Sequence, residues 1–148
     1  MSDFVVREAT GAADREACFA VRKEVFVVEQ RVPEEIEYDA HDADAVHLLA
    51  LGPDGPLGTG RLLIGHLPSD PATGSLGRLA VTRAARGLGV GAALVRAIEE
   101  AARVRGLAAV DLHAQTHALG FYERLGYEAY GPEFPDAGMP HRAMRRAL

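Results

Sequence analysis

Residues 86–92 read Arg-Gly-Leu-Gly-Val-Gly-Ala, a composition suited to holding an anion. Glycine has no Cβ, so several N–H groups of such a run can turn toward one ligand. An apolar strand pattern (Leu79, Ala80, Val81) precedes the run, and an amphipathic helical pattern over 90–104 begins inside it. A helix N-terminus has unpaired N–H groups and a positive dipole end, both favourable to phosphate. Arg86 adds a cation at the mouth. The chemistry predicted is retention of a diphosphate-bearing small molecule. Asp39, His41, Asp42, Asp44 and His47 are also of metal-ligating type. Their loop context and the lack of a binding framework point away from zinc, and no metal is expected.

These residues need elements to position them. Residues 4–7 read as a short strand. Thr10 is placed to cap a helix over about 12–27, with Ala17, Val21 and Val25 at helical spacing. Pro33 starts a second short helix. Residues 45–51 and 57–65 read as strands joined by the hairpin connector Gly52-Pro53-Asp54-Gly55-Pro56. A loop over 66–74 leads to a strand over 75–82. In the long helix, Val90, Leu94, Ala97, Ile98 and Ala101 form the inner stripe, with Arg96, Glu99, Glu100 and Arg103 outside it. Gly106 is its left-handed cap. Residues 108–114 form a strand with Val110, Leu112 and Ala114 on one face and Asp111, His113 and Gln115 on the other. A short helix over about 118–125 ends at Gly126. Residues 127–130 and 141–146 pair as final strands across a loop at 131–140. This order predicts an α/β fold in a single domain, 1–148, with a mixed sheet and helices on both faces.

A chain of 148 residues can build a core without metal or disulfide. The one cysteine, Cys18, excludes an intrachain disulfide and a Cys-based zinc site. Its place within a helical pattern makes it a packing residue. No stretch is long enough to span a bilayer, and residues 1–8 show no signal-peptide pattern. No membrane partner and a cytoplasmic setting are expected. The net charge of −5 argues against nucleic-acid binding. Charge is also unevenly spread. Glu24, Glu29, Glu34, Glu35, Glu37, Asp39, Asp42 and Asp44 face only Arg31 over 24–44, whereas six arginines oppose Glu99 and Glu100 over 78–105. Such a distribution suits a polyanionic cofactor held beside a cationic substrate.

Two ligand classes use a glycine run of this kind. As a dinucleotide fingerprint, Gly87, Gly89 and Ala92 take the glycine roles and Asp111 falls where an NAD-binding acid belongs. That reading makes an NAD-dependent oxidoreductase. Against it, Thr82-Arg83-Ala84-Ala85 separate strand from run, and the chain is short for two nucleotide-binding halves. Arg86-Gly87-Leu88-Gly89-Val90-Gly91 after Leu79-Ala80-Val81 instead resembles the acyl-CoA signature of the GNAT superfamily of N-acetyltransferases. Ala118-Leu119-Gly120-Phe121-Tyr122-Glu123-Arg124-Leu125-Gly126-Tyr127 resembles that superfamily's Phe-Tyr-x-x-x-Gly-Phe-like segment. Val25-Phe26-Val27-Val28-Glu29-Gln30 before Pro33, Leu112-His113-Ala114-Gln115, and Gly138-Met139-Pro140-His141 are similar to its ElaA-like branch. The resemblance covers nearly the whole chain.

The resemblance implies the GNAT acyl-CoA N-acyltransferase fold, a twisted mixed sheet in which two splayed parallel strands, here 75–82 and 108–114, hold a pantetheine arm. It implies acetyl-CoA as co-substrate. The pyrophosphate rests on N–H groups of Arg86, Gly87, Leu88, Gly89, Val90, Gly91 and Ala92. The arm pairs with Leu79, Ala80 and Val81, and an N–H near Val81 polarises the acetyl carbonyl. Tyr122 matches the tyrosine beside the CoA sulfur, where a phenol suits protonation of the departing thiolate. Glu29 matches the family position of a general base, which is needed because an alkyl ammonium has a pKa near ~10.4. Gln30, His113, Gln115 and His141 are the other residues expected around the acceptor. The implied reaction is direct acetylation of a primary amine, on a small molecule or peptide, in a ternary complex. Cys18 has no motif partner that would make it a nucleophile. A CoA-binding regulatory module without catalysis is the competing function, and retention of Tyr122 argues against it. Homodimers are common among relatives, although no segment here marks an interface.

Overall fold

A computed structural model describes residues 3–148. Among them, β1 (Val5–Glu8), β2 (Val46–Gly52), β3 (Gly55–Leu63), β4 (Thr73–Val81), β5 (Ala109–Gln115), β6 (Glu128–Asp136) and β7 (Met139–Ala147) form one sheet. Its spatial order is β1-β2-β3-β4-β5-β7-β6. Every neighbouring pair is antiparallel except β4 with β5. A doubly wound dinucleotide fold needs a mostly parallel sheet, so the oxidoreductase reading of the glycine run is set aside.

Helices α1 (Ala12–Arg22) and α3 (Val90–Val104) cover opposite faces; α2 (Glu34–Glu37) and α4 (Leu119–Arg124) are short. Strand alternation sorts the core between them. Leu48, Ala50, Leu62, Leu76, Val110 and Leu112 pack with α3, whereas Leu49 packs with Cys18 of α1. Cys18 is fully buried, its thiol 3.6 Å from the Leu48 carbonyl, and is a packing residue as expected. α3 presses close because β3 carries glycines beneath it. A Cβ at Gly58 would lie 2.9 Å from Leu94 Cδ1, and one at Gly60 2.8 Å from Ile98 Cδ1. Leu94 and Ile98 are fully buried, which contributes about 1.5–3 kcal/mol each. Among the described residues no helix is long and apolar enough to cross a membrane.

Four expectations need correction. The helix over 12–27 is α-helical only to Arg22. Lys23–Glu29 continues as a π-helix, with the Gln30 N–H donating to the Val25 carbonyl at 3.0 Å. Val21 and Val25 are buried in this winding, so their spacing does not reveal the wider turn. Gly11, rather than Thr10, is the N-cap, and no side chain caps it. Glu99, expected on the outer face of α3, is fully buried. The Tyr127 hydroxyl donates to it at 2.9 Å, and Arg96 and Arg146 pair with it at 2.8 and 3.0 Å. Two of those partners come from beyond the helix, so its own periodicity cannot show the burial. The loop expected over 131–140 is mostly strand. β6 reaches Asp136 and β7 starts at Met139, across Ala137 and Gly138 at φ 52° and 77°. That is a two-residue hairpin turn. Pro132 and Pro135 are tolerated because β6 is the sheet edge.

The acidic segment folds onto arginines from α1, β3 and β4. Arg22 donates to Glu37 at 2.8 Å and to Asp42 at 2.7 Å. Arg61 donates to Asp39 and Asp42, each at 2.8 Å. Arg78 pairs with Asp39 at 3.2 Å and Glu37 at 3.3 Å. The His47 ring nitrogen lies 2.9 Å from the Asp42 carbonyl. Glu37, Asp39 and Asp42 are therefore neutralised inside the fold, whereas Glu24, Glu34, Glu35 and Asp44 are exposed.

Burial opposes ionisation of Asp42, but the bonds from Arg22, the Asp39 N–H and Arg61 outweigh it. They hold the carboxyl at about 2, against an ordinary 3.8. A depressed folded-state pKa adds stability above the unfolded value, and this is lost as pH falls through the folded one. Asp42→Asn is expected to destabilise the protein by about 2 kcal/mol at neutral pH. In urea melts, its difference from wild type is expected to shrink between about pH 4 and pH 2.

Candidate active site

The parallel pair at the centre of the sheet comes apart. β4 and β5 pair only from Thr73 with Ala109 to Leu76 with Leu112. Beyond that point β5 stays with β7, as far as Gln115 with His141, and β4 stays with β3. A bulge in β4 accompanies the parting: Thr59 faces Ala80 and Arg61 faces Gly77, so β4 has one extra residue. Arg78 in the bulge has φ 51°, a conformation costing about 1–3 kcal/mol. Its guanidinium is anchored on the Glu37 carbonyl at 3.1 Å and the Ile36 carbonyl at 3.3 Å. The result is a fork open between residues 77–81 and 113–115.

The glycine run lies past the open end of β4. Gly87 and Gly89 both have φ 83°, with open space where a Cβ would be. They are needed for conformation, not for room. Gly89 is the N-cap of α3, without a side-chain cap. The first bond of the helix runs from the Ala93 N–H to the Gly89 carbonyl at 3.1 Å. The N–H groups of Val90, Gly91 and Ala92 therefore precede the helical ladder, as anion binding requires. Leu88 is exposed at the rim. Arg86 does not lean over the run. Its guanidinium donates to both Glu29 oxygens, at 2.7 and 2.6 Å, and its Nε to the Val81 carbonyl at 3.1 Å. The hydrogen bond from Arg86 holds the Glu29 carboxyl below its usual range. The π-helical end of α1 thus ties a predicted base to a predicted cofactor residue.

α4 brings Phe121 and Tyr122 against the same fork. Their rings meet edge-on at 4.9 Å, so they share one contact despite lying on different faces of the helix. Phe121 also packs on the first turn of α3, where a Cβ at Gly91 would lie 3.3 Å from its ring. Tyr122 is 7% exposed. Burial pushes its phenol well above the usual range, so it keeps its proton at neutral pH.

A cavity of about 880 Å³ joins these parts. Its wall runs from Gly87, Gly89, Val90, Gly91 and Ala92, past Tyr122, to Ser75, Asp111, His113 and His141 on the α1 side of the sheet. Leu79 and Val81 line it, whereas Ala80 packs on Val21 and Val25. Gln115 donates to Gln30 at 3.1 Å across the fork. His141 is buried, its Nδ1 2.8 Å from the Met139 carbonyl. The His113 ring meets Phe134 edge-on at 5.0 Å.

Residues 9–148 match the family model described as an acetyltransferase (GNAT) domain. The chain belongs to the GNAT acetyltransferase family. It is 38% identical over 129 residues to the uncharacterized N-acetyltransferase YjcF of Bacillus subtilis, covering 86% of this chain and 89% of that one. It is 31% identical over 134 residues to the protein ElaA of Escherichia coli, covering 89% and 86% of the two chains. The crystal structure of an acyl-CoA N-acyltransferase from Pseudomonas aeruginosa superposes with a TM-score of 0.82 at 33% identity, over 99% of this chain and 100% of that one.

This GNAT chain is an acyltransferase, and its fold implies an acyl-CoA donor. The cradle fits the diphosphate of such a donor: N–H groups ahead of the helical ladder and two left-handed glycines meet at one end of the cavity, with Arg86 nearby on Glu29. Of the residues predicted for the acceptor, Gln30, His113, Gln115 and His141 all line the cavity, and Glu29 lines an adjoining one of about 670 Å³. Asp111, which stands out in the sequence only at the position of an NAD-binding acid, lines the cavity too. The signal was its place on the strand face of His113 and Gln115. Arg61 and Arg78 had no sequence signal, because the bulge and the folded acidic segment bring them to the wall.

Gly89→Ala is expected to cost about 1–2 kcal/mol and to weaken CoA binding about tenfold or more in calorimetry. Gly106→Ala, at a comparable φ of 79° but at the far end of α3, is expected to cost similar stability and to leave CoA affinity unchanged.

Proposed function

We propose that this GNAT enzyme transfers an acetyl group from acetyl-CoA to a primary amine by direct attack within a ternary complex. The observation that carries this reading is the single cavity joining the anion cradle, the β4–β5 fork and the Tyr122 phenol. The pantetheine arm lies along Leu79, Ala80 and Val81 as an added strand. A β4 N–H near Val81 polarises the acetyl carbonyl. The amine nitrogen forms the C–N bond and the C–S bond breaks. One amine proton leaves through a base to solvent before attack. The departing thiolate takes its proton from Tyr122, whose protonated state supports the role, and the second amine proton, released as the amide forms, passes through water to restore the phenol. No acyl-enzyme forms. The buried thiol of Cys18 sits against the Leu48 carbonyl, and burial pushes it above its usual range.

Glu29 is the base of this scheme, acting directly or through water. In the free enzyme it is bound to Arg86. The donor diphosphate competes for that arginine and frees the carboxylate, so donor binding precedes activation of the acceptor. A cytoplasmic setting, where CoA thioesters are made, follows from this donor.

Tyr122→Phe is expected to lower kcat about 100-fold while the Kd for CoA stays within about twofold, measured by thiol release and calorimetry. Equal losses in turnover and affinity would count against the proton-donor role. For Glu29→Gln the two readouts are expected to move oppositely. Turnover falls, whereas CoA binds about two- to five-fold tighter because Arg86 loses its competing partner. Weaker CoA binding would rule out the competition.

A further inference from the structure

We infer that Asp111 receives the ammonium group of the acceptor. The inference rests on the amine-acetylating reading above and assigns its acceptor subsite.

Asp111 stands on the face of β5 that looks toward the α1 side. Over β2, β3 and β4 that face is covered by α1. Over β5 it forms part of the cavity wall. Asp111 immediately precedes Leu112, the last β5 residue paired to β4. It therefore lies about 3.3 Å along the strand from the start of the fork, opposite Ser75. An amine held there is beside the path of an acyl group carried along β4.

Among the described residues, Asp111 is also the one buried carboxylate that makes no ion pair, whereas Glu37, Asp42 and Glu99 each hold arginines. Asp111 is 4% exposed. Its Oδ2 accepts a short hydrogen bond from the Tyr130 phenol, and among the described residues its Oδ1 accepts none. The nearest cation by register, Arg145 on β7, is engaged by Asp70 and Thr73. The other acids near the cavity are spent: Glu37 on Arg22 and Arg78, Asp39 and Asp42 on Arg61, and Glu29 on Arg86. Asp136 also lines the cavity, but it is exposed to water at the tip of the β6–β7 hairpin, where an unpaired charge costs little. A buried carboxylate without a cation is costly, and an ammonium donating to Oδ1 removes that cost.

The rest of the wall sets the shape of the acceptor. His113 and His141 line the cavity, and Phe134 backs both, its ring 5.0 Å from one and stacked 6.1 Å from the other. Such a wall suits an aliphatic or aromatic arm beside the nitrogen.

The test compares nucleophiles that differ in charge at neutral pH. Thiol release from acetyl-CoA is followed with n-butylamine and phenethylamine, which are protonated, and with hydroxylamine, which is neutral. Asp111→Asn keeps an acceptor for Tyr130 but removes the charge. It is expected to lower kcat/KM for the two monoamines about tenfold or more. The hydroxylamine rate is expected to stay within about threefold of wild type, and the Kd for CoA within about twofold. Equal losses for protonated and neutral nucleophiles, or no loss for either, would overturn the inference. If wild type binds acetyl-CoA yet acetylates none of the amines, the amine reading itself fails and takes this inference with it. Asp111→Ser carries the same comparison if the Asn variant is not recovered folded.

Discussion

Past Leu76, the backbone of β4 is paired on one edge only. β3 holds that edge, and β5 turns away toward β7 after Leu112. Peptide groups on the parted edges carry hydrogen-bonding capacity that the sheet no longer uses. A strand-like arm laid between them can use it, as in other cases where an extended ligand joins a sheet edge. The bulge at Arg78 sets this geometry, because one extra residue in β4 changes its twist and direction relative to β3. The positions of the cradle and of α4 matter because both adjoin the opening. α3 is held against the sheet through Gly58 and Gly60, which fixes where its N-terminus points.

The acidic segment and the arginines bear on function indirectly. Glu37, Asp39 and Asp42 neutralise Arg22, Arg61 and Arg78, and this cluster clamps the bulged strand to α1 and α2. Buried pairs of this kind add little net stability over an apolar packing, but losing one member is costly. Their structural effect is to hold Arg78 in a left-handed conformation that an unsupported strand would abandon. The Glu29–Arg86 pair is different. It is partly exposed and joins the π-helical end of α1 to the glycine run, where a surface pair adds little to stability.

Much of the fold was legible along the chain. The span of α3, the left-handed cap at Gly106 and the alternation along β5 follow from periodicity and backbone chemistry, which act over a few residues. The β6–β7 hairpin was obscured because Gly131, Pro132 and Pro135 carry loop signals, and only an edge position makes those residues compatible with a strand. Lys23–Glu29 was obscured because α and π winding bury the same apolar positions. Glu99 was misjudged because its partners Tyr127 and Arg146 lie far along the chain.

The amino-acid sequence alone determined the glycine cradle and the aromatic pair of the cavity wall. The glycine run and the Phe121-Tyr122 segment are local patterns whose chemistry depends on backbone conformation and on residues a few places apart. The charge of the remaining wall was decided by tertiary structure. Which carboxylates are neutralised and which is left facing the cavity depends on contacts between residues tens of positions apart. Asp42 meets Arg61 and Glu29 meets Arg86, while Asp111 meets no cation among the described residues. Charge counted along a chain has no fixed relation to charge in space, because folding pairs opposite signs wherever burial makes an unpaired ion too costly.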